Sequence, residues 1–378
     1  MTRDSIQSMQ AEAHPLPTGA GGPDVTFLLP LLDGASVIGI GEPTHGDATS
    51  LQLKQALIAA LANKAPTPVV AWERGPGHVT ETLNRLHANV APPEEQMRFL
   101  YPWVSGEAHA LFEWLARTDT PEVHGIDMDG PVPHTLFDTL AVPDPDHARA
   151  LMARSRGPEP EHAALRALES WALAQARNTN LAPRQQILVS STAQWARFRL
   201  ATLSDDPDAG RTAQALRDGC MADNVLDLAD HSTPVIFSAH NGHVSRKSNM
   251  AGGRLLERLG ESYRAVGMAF GTGSFCAGTA KGDSFDPKLV VFDADRPPPG
   301  SFEQILAQYA LHTFCLDLRP LRGTGHPLAR PCLMREVSLA GGRPQFSITA
   351  TPADLYDIVI WMEAITPVTV RRGPDSFW

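Results

Sequence analysis

A chain of 378 residues with 43% hydrophobic content has ample material for a packed core, so it needs no disulfide staples. Its formal net charge of -10, with a pI near 5.8, gives no basic footprint for nucleic acid and no attraction to anionic membranes. Cys220, Cys276, Cys315 and Cys332 are scattered without a C-x-x-C spacing, which excludes a zinc ribbon or disulfide framework and fits a reducing cytoplasm.

Residues 1–23 are polar, rich in Gly and Pro, and lack the apolar run of a secretory signal; they read as a flexible lead-in. No stretch approaches 18 consecutive apolar residues, so no membrane span is expected. The first predicted strand, 37–41, is apolar and rich in β-branched residues, and it stops at Gly41-Glu42-Pro43. A helix follows from Asp47, with Leu51, Leu53, Ala56, Leu57, Ala60 and Leu61 at mostly helical spacing behind the cap candidates Asp47, Thr49 and Ser50. Further strands are expected at 68–72 and 123–126. Between about 145 and 231 the pattern turns helical, with helices at 147–156, 162–177 and 213–231. Strands resume at 234–238, 264–270, 288–292 and 358–361.

Short apolar runs alternating with helical segments indicate an α/β fold: a largely parallel sheet flanked by helices. The expected organisation is an α/β core made of 24–144 and 232–378. A helical subdomain at 145–231 forms one side of a deep cleft.

The polar groups that follow the strands fall in one register. The first strand delivers Glu42 and His45, the second Glu73 and Arg74, the third Asp127, and the fourth His240 and His243. In a parallel sheet all these termini open on the carboxyl edge, where ligands generally bind. A carboxylate that accepts one ring N–H holds a histidine in a single tautomer and makes it a better base. No G-x-S-x-G frame is present and no cysteine has a local activation signature, so water is the favoured nucleophile. Lys54 and Arg74 are cations available to a developing oxyanion. A metal site is the rival reading, since three histidines and several carboxylates are also the ligand set of zinc, manganese and iron hydrolases. Against it, His240-Asn241-Gly242-His243 is not the helical pair of H-E-x-x-H.

Gly41-Glu42-Pro43-Thr44-His45-Gly46 resembles the signature of the erythromycin esterase family. Tyr101-Pro102-Trp103 with Glu107 and Trp114, Gly125-Ile126-Asp127, and Arg217-Asp218 with Met221 and Asn224 resemble that family's middle blocks. The segments 239–244 and 265–271 resemble its later ones, and the likeness spans most of 25–370. The resemblance implies an α/β core with an added helical part and a cleft in which ester or lactone bonds are hydrolysed without an obligatory metal or other cofactor. It implies His45 as the water-activating base, Glu42 and Glu73 as supporting carboxylates, and His240 and His243 as a pair that binds or polarises the substrate. Lys54 stands where the family tends to have arginine, keeping the charge without the planar fork. The chain is compact for the family, which bears on macrolide specificity.

The leading expectation is therefore a metal-independent ester or lactone hydrolase acting on a small-molecule or natural-product substrate. Lys54, Arg74 and Asp127 are expected to contact that substrate. A non-hydrolytic tailoring enzyme, a metallohydrolase and a non-catalytic binding protein are the alternatives. No heptad repeat points to an oligomer.

Overall fold

The computed structural model describes residues 13–19, 22–64, 66–90, 105–118, 121–128, 130, 145–155, 162–177, 181, 183–229, 233–281, 284–337 and 340–370. The 101–103 aromatic block and the predicted helix end at 230–231 lie outside these residues, as do 1–12 of the lead-in.

In chain order the main sheet takes Val37–Ile40 (β1), Val69–Trp72 (β2), Val123–Gly125 (β3), Val235–Ser238 (β4), Tyr263–Lys281 (β5), Ser284–Asp293 (β6), Thr313–Asp317 (β7) and Ile358–Ile365 (β8). The strand order is β7-β8-β5-β1-β4-β2-β3. From β8 across to β3 every pairing is parallel; β7 joins β8, and β6 joins β5, in antiparallel fashion. The sheet is thus largely parallel, as the alternation of elements indicates. His14–Pro15 adds a short antiparallel edge to β7, so part of the 1–23 segment is built into the sheet.

The helices that matter for the site are Ala48–Ala62 (α1), Pro76–His87 (α2), Gly106–Thr118 (α3), Pro145–Ser155 (α4), His162–Ala176 (α5), Pro183–Thr202 (α6), Ala209–Leu228 (α7), Asn241–Val244 (α8), Ala251–Leu259 (α9) and Phe302–Ala307 (α10). β1 is buried at all four positions, the pattern of a strand covered on both faces. Alternate side chains go to opposite faces. Ile38 and Ile40 pack with Leu51 and Leu57 of α1 and with Leu111 and Phe112 of α3. Val37 joins Phe237, Met221 and Val225 on the other face. Helices α4 to α7 share a separate core around Met152, Leu165, Leu168, Val189 and Trp195. Helix α7 belongs to both, giving Cys220 to that core and Met221 and Val225 to the sheet.

Several strands depart from the pattern in the sequence: β6 and β8 outrun the expected 288–292 and 358–361, and the antiparallel pair Cys332–Arg335 and Phe346–Ala350 has no counterpart in it. β5 runs 19 residues where an apolar run marks only 264–270, because β8 still pairs with Thr272 and Gly273 and the antiparallel ladder with β6 then takes it from Ser274 to Lys281. β7 was not anticipated; its three buried residues, Phe314, Cys315 and Leu316, make too short a run to separate from a loop. Among the described residues, no helix is long and apolar enough to cross a membrane.

The register levels the strand ends. Ile40 sits opposite Ser238 and Val266, and Trp72 opposite Ser238 and Gly125. The residues just beyond therefore leave the sheet at one edge. The chain moves from β1 outward to β2 and β3, then returns to place β4 beside β1 and β5 on β1's other side. That reversal around β1 is where a crevice opens in a doubly wound sheet.

Candidate active site

The loop from β1 to α1 is held at both ends. Gly41 N–H donates to Val266 O at 2.8 Å, and its Cα packs so closely on the Asn241 side chain that any Cβ would collide. Gly46 lies flat against the Cys276 backbone, leaving no room for a Cβ, and its carbonyl accepts from Cys276 N and Val368 N. Asp47 then caps α1, its carboxylate accepting from Ser50 N at 2.6 Å. Between these anchors stand Glu42 and His45.

His45 Nδ1 lies 2.5 Å from Glu42 Oε1, and Lys54 Nζ lies 2.7 Å from Glu42 Oε2. Burial pushes the Glu42 carboxyl up, but the Lys54 ammonium and the His45 hydrogen bond outweigh it and hold the group at about 2. An ionised Glu42 requires a donor at His45 Nδ1, which makes Nε2 the basic nitrogen. Lys54 is 1% exposed and also donates to Ala239 O at 3.3 Å. The structure therefore brings the expected substrate cation against Glu42 rather than into open space.

A second cluster surrounds Arg217 of α7. Its guanidinium donates to Asp127 through Nε at 2.9 Å and Nη2 at 2.5 Å, and Nη2 also reaches Glu73 Oε1 at 2.9 Å. Glu73 Oε2 accepts from His240 N–H at 2.6 Å. His243 Nδ1 lies 2.8 Å from Asp218 Oδ1. Its Nε2 sits 3.3 Å from Glu73 Oε1 and 3.1 Å from Arg217 Nη1, and one nitrogen cannot donate to the first while accepting from the second. Burial works against charge on this ring, yet Glu73 and Asp218 overcome it and raise its pKa to about 10, so Nε2–H is directed to Glu73. The Glu73 carboxyl is likewise held well below its usual range, against burial, by His243 and Arg217.

His240 is different. The predicted turn is instead the short helix α8, with His240 at its N-cap: Nδ1 accepts from Gly242 N–H at 3.2 Å. The proton of the neutral ring is therefore on Nε2, which has no hydrogen-bond partner among the described residues. Burial, then the neighbouring His45, lowers its pKa to about 4. The His45 and His240 ring centroids are 5.2 Å apart, tilted by 51°. Asn241 fixes this segment to β5, giving Nδ2 to Met268 O at 2.6 Å and taking Met268 N at 3.0 Å.

All eight residues singled out from the sequence, Glu42, His45, Lys54, Glu73, Arg74, Asp127, His240 and His243, line one cavity of about 720 Å³. Phe198 and Gln214 from α6 and α7 line it too, so the helical segment contributes a wall. Arg217 and Asp218 were not assigned a role from the sequence. A signal for Asp218 was present: it lies on the stripe of α7 that continues through Met221, Ala222 and Val225, where a buried charge demands partners.

Among the described residues no three His, Cys, Asp or Glu side chains group so as to hold a metal ion. The charges explain the arrangement: Lys54, Arg217 and His243 already neutralise the carboxylates that a cation would need.

Three solved structures are similar over nearly the whole chain. A succinoglycan biosynthesis protein has 18% identity and a TM-score of 0.80, with 98% of each chain covered. A Bacillus cereus protein has 18% identity and a TM-score of 0.79, covering 98% of this chain and 100% of its own. A mutant of the erythromycin esterase EreC, in its open conformation, has 18% identity and a TM-score of 0.69, covering 97% of this chain and 99% of its own. At such identity the likeness shows the fold alone. No match was found among curated proteins. The erythromycin esterase family model matches residues 74–365, beginning just after Glu73, so Glu42, His45 and Glu73 lie ahead of the matched segment. With more than half of its length matched, the chain belongs to the erythromycin esterase family.

Proposed function

We propose that the protein hydrolyses a carboxylic ester or lactone, with His45 activating water and no metal in the reaction. The observation that carries this reading is the Glu42–His45 pair, which makes His45 Nε2 the accepting nitrogen, set beside His240, whose ring proton is on Nε2, with the two ring centroids 5.2 Å apart.

Water attacks the carbonyl carbon while His45 Nε2 takes its proton, and Glu42 stabilises the resulting imidazolium. The carbonyl π electrons move to oxygen, and His240 Nε2–H donates to that oxyanion. The imidazolium then returns its proton to the leaving alkoxide as the C–O bond breaks, giving a carboxylic acid and an alcohol. Lys54 orients Glu42, and the Arg217 cluster holds Glu73, which in turn fixes the His240 backbone through its N–H.

The test is an ester and lactone panel, including macrolides, read by mass spectrometry beside a folded His45→Ala variant. Hydrolysis adds one water to the substrate mass and should fall about 10²- to 10⁴-fold in the variant. A variant that turns over at the wild-type rate removes His45 as base. A product without the added water shifts the reaction to elimination, cyclisation or transfer.

A further inference from the structure

A second chamber of about 340 Å³ adjoins the catalytic cavity. His240, Gly242, Met250 and Glu336 line both, so the two spaces meet at His240. The chamber's remaining wall is mostly apolar, with Met268, Phe270, Met334, Ile348 and Leu355.

Set in that wall is a polar pair with unused capacity. Glu303, in the first turn of α10, is 2% exposed; its Oε1 accepts from Arg335 N–H at 3.0 Å, but its Oε2 has no partner among the described residues. The Arg335 guanidinium lies between the Phe270 and Phe346 rings, at 4.0 and 4.9 Å from their centroids. Its Nη1 donates to Phe270 O, and its Nη2 to Gly271 O and Asp295 O, while Nε is left without a partner. Burial holds the Glu303 carboxyl up at about 6, as befits an acid short of donors. Buried polar atoms are normally satisfied, so one open acceptor and one open donor in the same cavity wall need explanation.

We propose that this chamber binds a hydroxyl-bearing apolar portion of the ligand, with Glu303 and Arg335 as the polar contacts that fix it. A hydroxyl both donates and accepts, so it is the ligand group that suits an open acceptor and an open donor in one wall. The wall carries two carboxylates, Glu303 and Glu336, and two cations, Arg335 and Lys247, whose charges offset, which disfavours an ion. The five apolar side chains suit a hydrocarbon body. Resting on the hydrolase reading, the chamber receives one half of an ester or lactone whose reacting carbonyl lies by His240.

Binding can be measured apart from turnover. The probes are benzyl alcohol, toluene and benzylammonium, titrated into full-length protein carrying ¹³C-labelled methionine methyl groups. Benzyl alcohol should move the Met268 and Met334 methyl signals and bind about three- to tenfold more tightly than toluene, the value of one hydrogen bond. Glu303→Leu should erase that margin, and Ala350→Phe, which fills the chamber from its strand wall, should abolish binding of both. The proposal is overturned if wild-type protein binds toluene as well as the alcohol, prefers benzylammonium, or shows no shift at Met268 and Met334. The wild-type comparison needs no variant to fold. Failure of the hydrolysis panel with this margin intact would overturn the reaction and leave the chamber's ligand class standing.

Discussion

Lys54 Nζ is ion-paired to Glu42 Oε2 at 2.7 Å, with the two side chains 1% and 8% exposed. Glu42 Oε1 meanwhile takes His45 Nδ1, so the lysine acts on the imidazole through the carboxylate. Removing one partner of a buried pair strands the other's charge, a cost of about 3–5 kcal/mol. Lys54→Met should therefore lower the urea midpoint. It should also raise the Glu42 carboxyl toward its usual range. Glu42 titrates at about 2 in the folded protein, below its usual 4.5, so its stabilising charge is present above 4.5 and lost as pH falls toward 2. Without Lys54 that loss begins at higher pH. The check is an NMR titration of the Glu42 carboxyl carbon, and a midpoint unmoved in the variant would count against the pairing as the source of the low value.

Glu42→Gln replaces the acceptor that sets the His45 tautomer with an amide able to donate. Activity should drop about 10²- to 10⁴-fold in kcat with KM little changed, since the carboxylate is needed when the imidazolium forms. The check is steady-state kinetics on the best substrate of the panel. Equal losses in kcat and a large rise in KM would instead mark Glu42 as a binding group.

Arg217 serves Asp127 and Glu73 from a single planar fork. Arg217→Met should destabilise the fold by about 3–5 kcal/mol, because two carboxylates that are 1% and 7% exposed lose their cation. Arg217→Lys keeps the charge but not the bidentate geometry, so it should fall between wild type and Arg217→Met. Denaturant melts of the three proteins at pH 7 decide the order. A lysine variant as unstable as the methionine one would show that geometry alone matters.

Glu42 and His45 are legible in the sequence because local rules converge on them: a β-branched run, a Gly and a Pro that stop it, and a capped helix beyond. Parallel order then puts Glu73, Asp127 and His240 on the same edge without any knowledge of side-chain contacts. Partnerships are another matter. Arg217 is 90 residues from Asp127 and 144 from Glu73, and only the packing of α7 on the sheet unites them. Lys54 reads from the sequence as a cation for the substrate; the turn of α1 points it at Glu42. The split between His240, neutral, and His243, cationic, is equally invisible, since two histidines three residues apart differ only in what the fold sets beside them.

Asp47 has one carboxylate oxygen on Ser50 N and the other, Oδ2, buried with no partner among the described residues. Burial raises its pKa to about 7, opposed by the cap hydrogen bond. The folded state thus holds the proton longer than the unfolded chain, so Asp47 favours folding below about 4 and this contribution is lost as pH rises to 7. Asp47→Asn keeps the capping oxygen and has no charge to bury. It should be more stable than wild type at pH 8, by an upper bound of about 4 kcal/mol, and no better at pH 4. Urea melts at the two pH values test this. A variant less stable at both would mean that the buried carboxylate is satisfied.

His240 titrates in the opposite sense. Its folded pKa of about 4 lies below the usual 6.5, because burial and the adjacent His45 resist a second proton there. Between those values the unfolded chain binds a proton that the folded ring refuses, so stability must fall as pH drops from about 6.5 to 4. The span corresponds to a contribution on the order of 3 kcal/mol. His240→Asn removes the titrating ring, and the difference in unfolding free energy between variant and wild type should change across this window and stay flat above pH 7. With Nδ1 accepting from Gly242 N–H, the neutral ring keeps its proton on Nε2, which presents a donor to an oxyanion at neutral pH. A ring that charged near 6.5 would show no such slope. An NMR titration of the His240 ring carbon resolves the point directly: a midpoint near 6.5 would show that burial does not hold the ring neutral in this window and would remove the predicted slope.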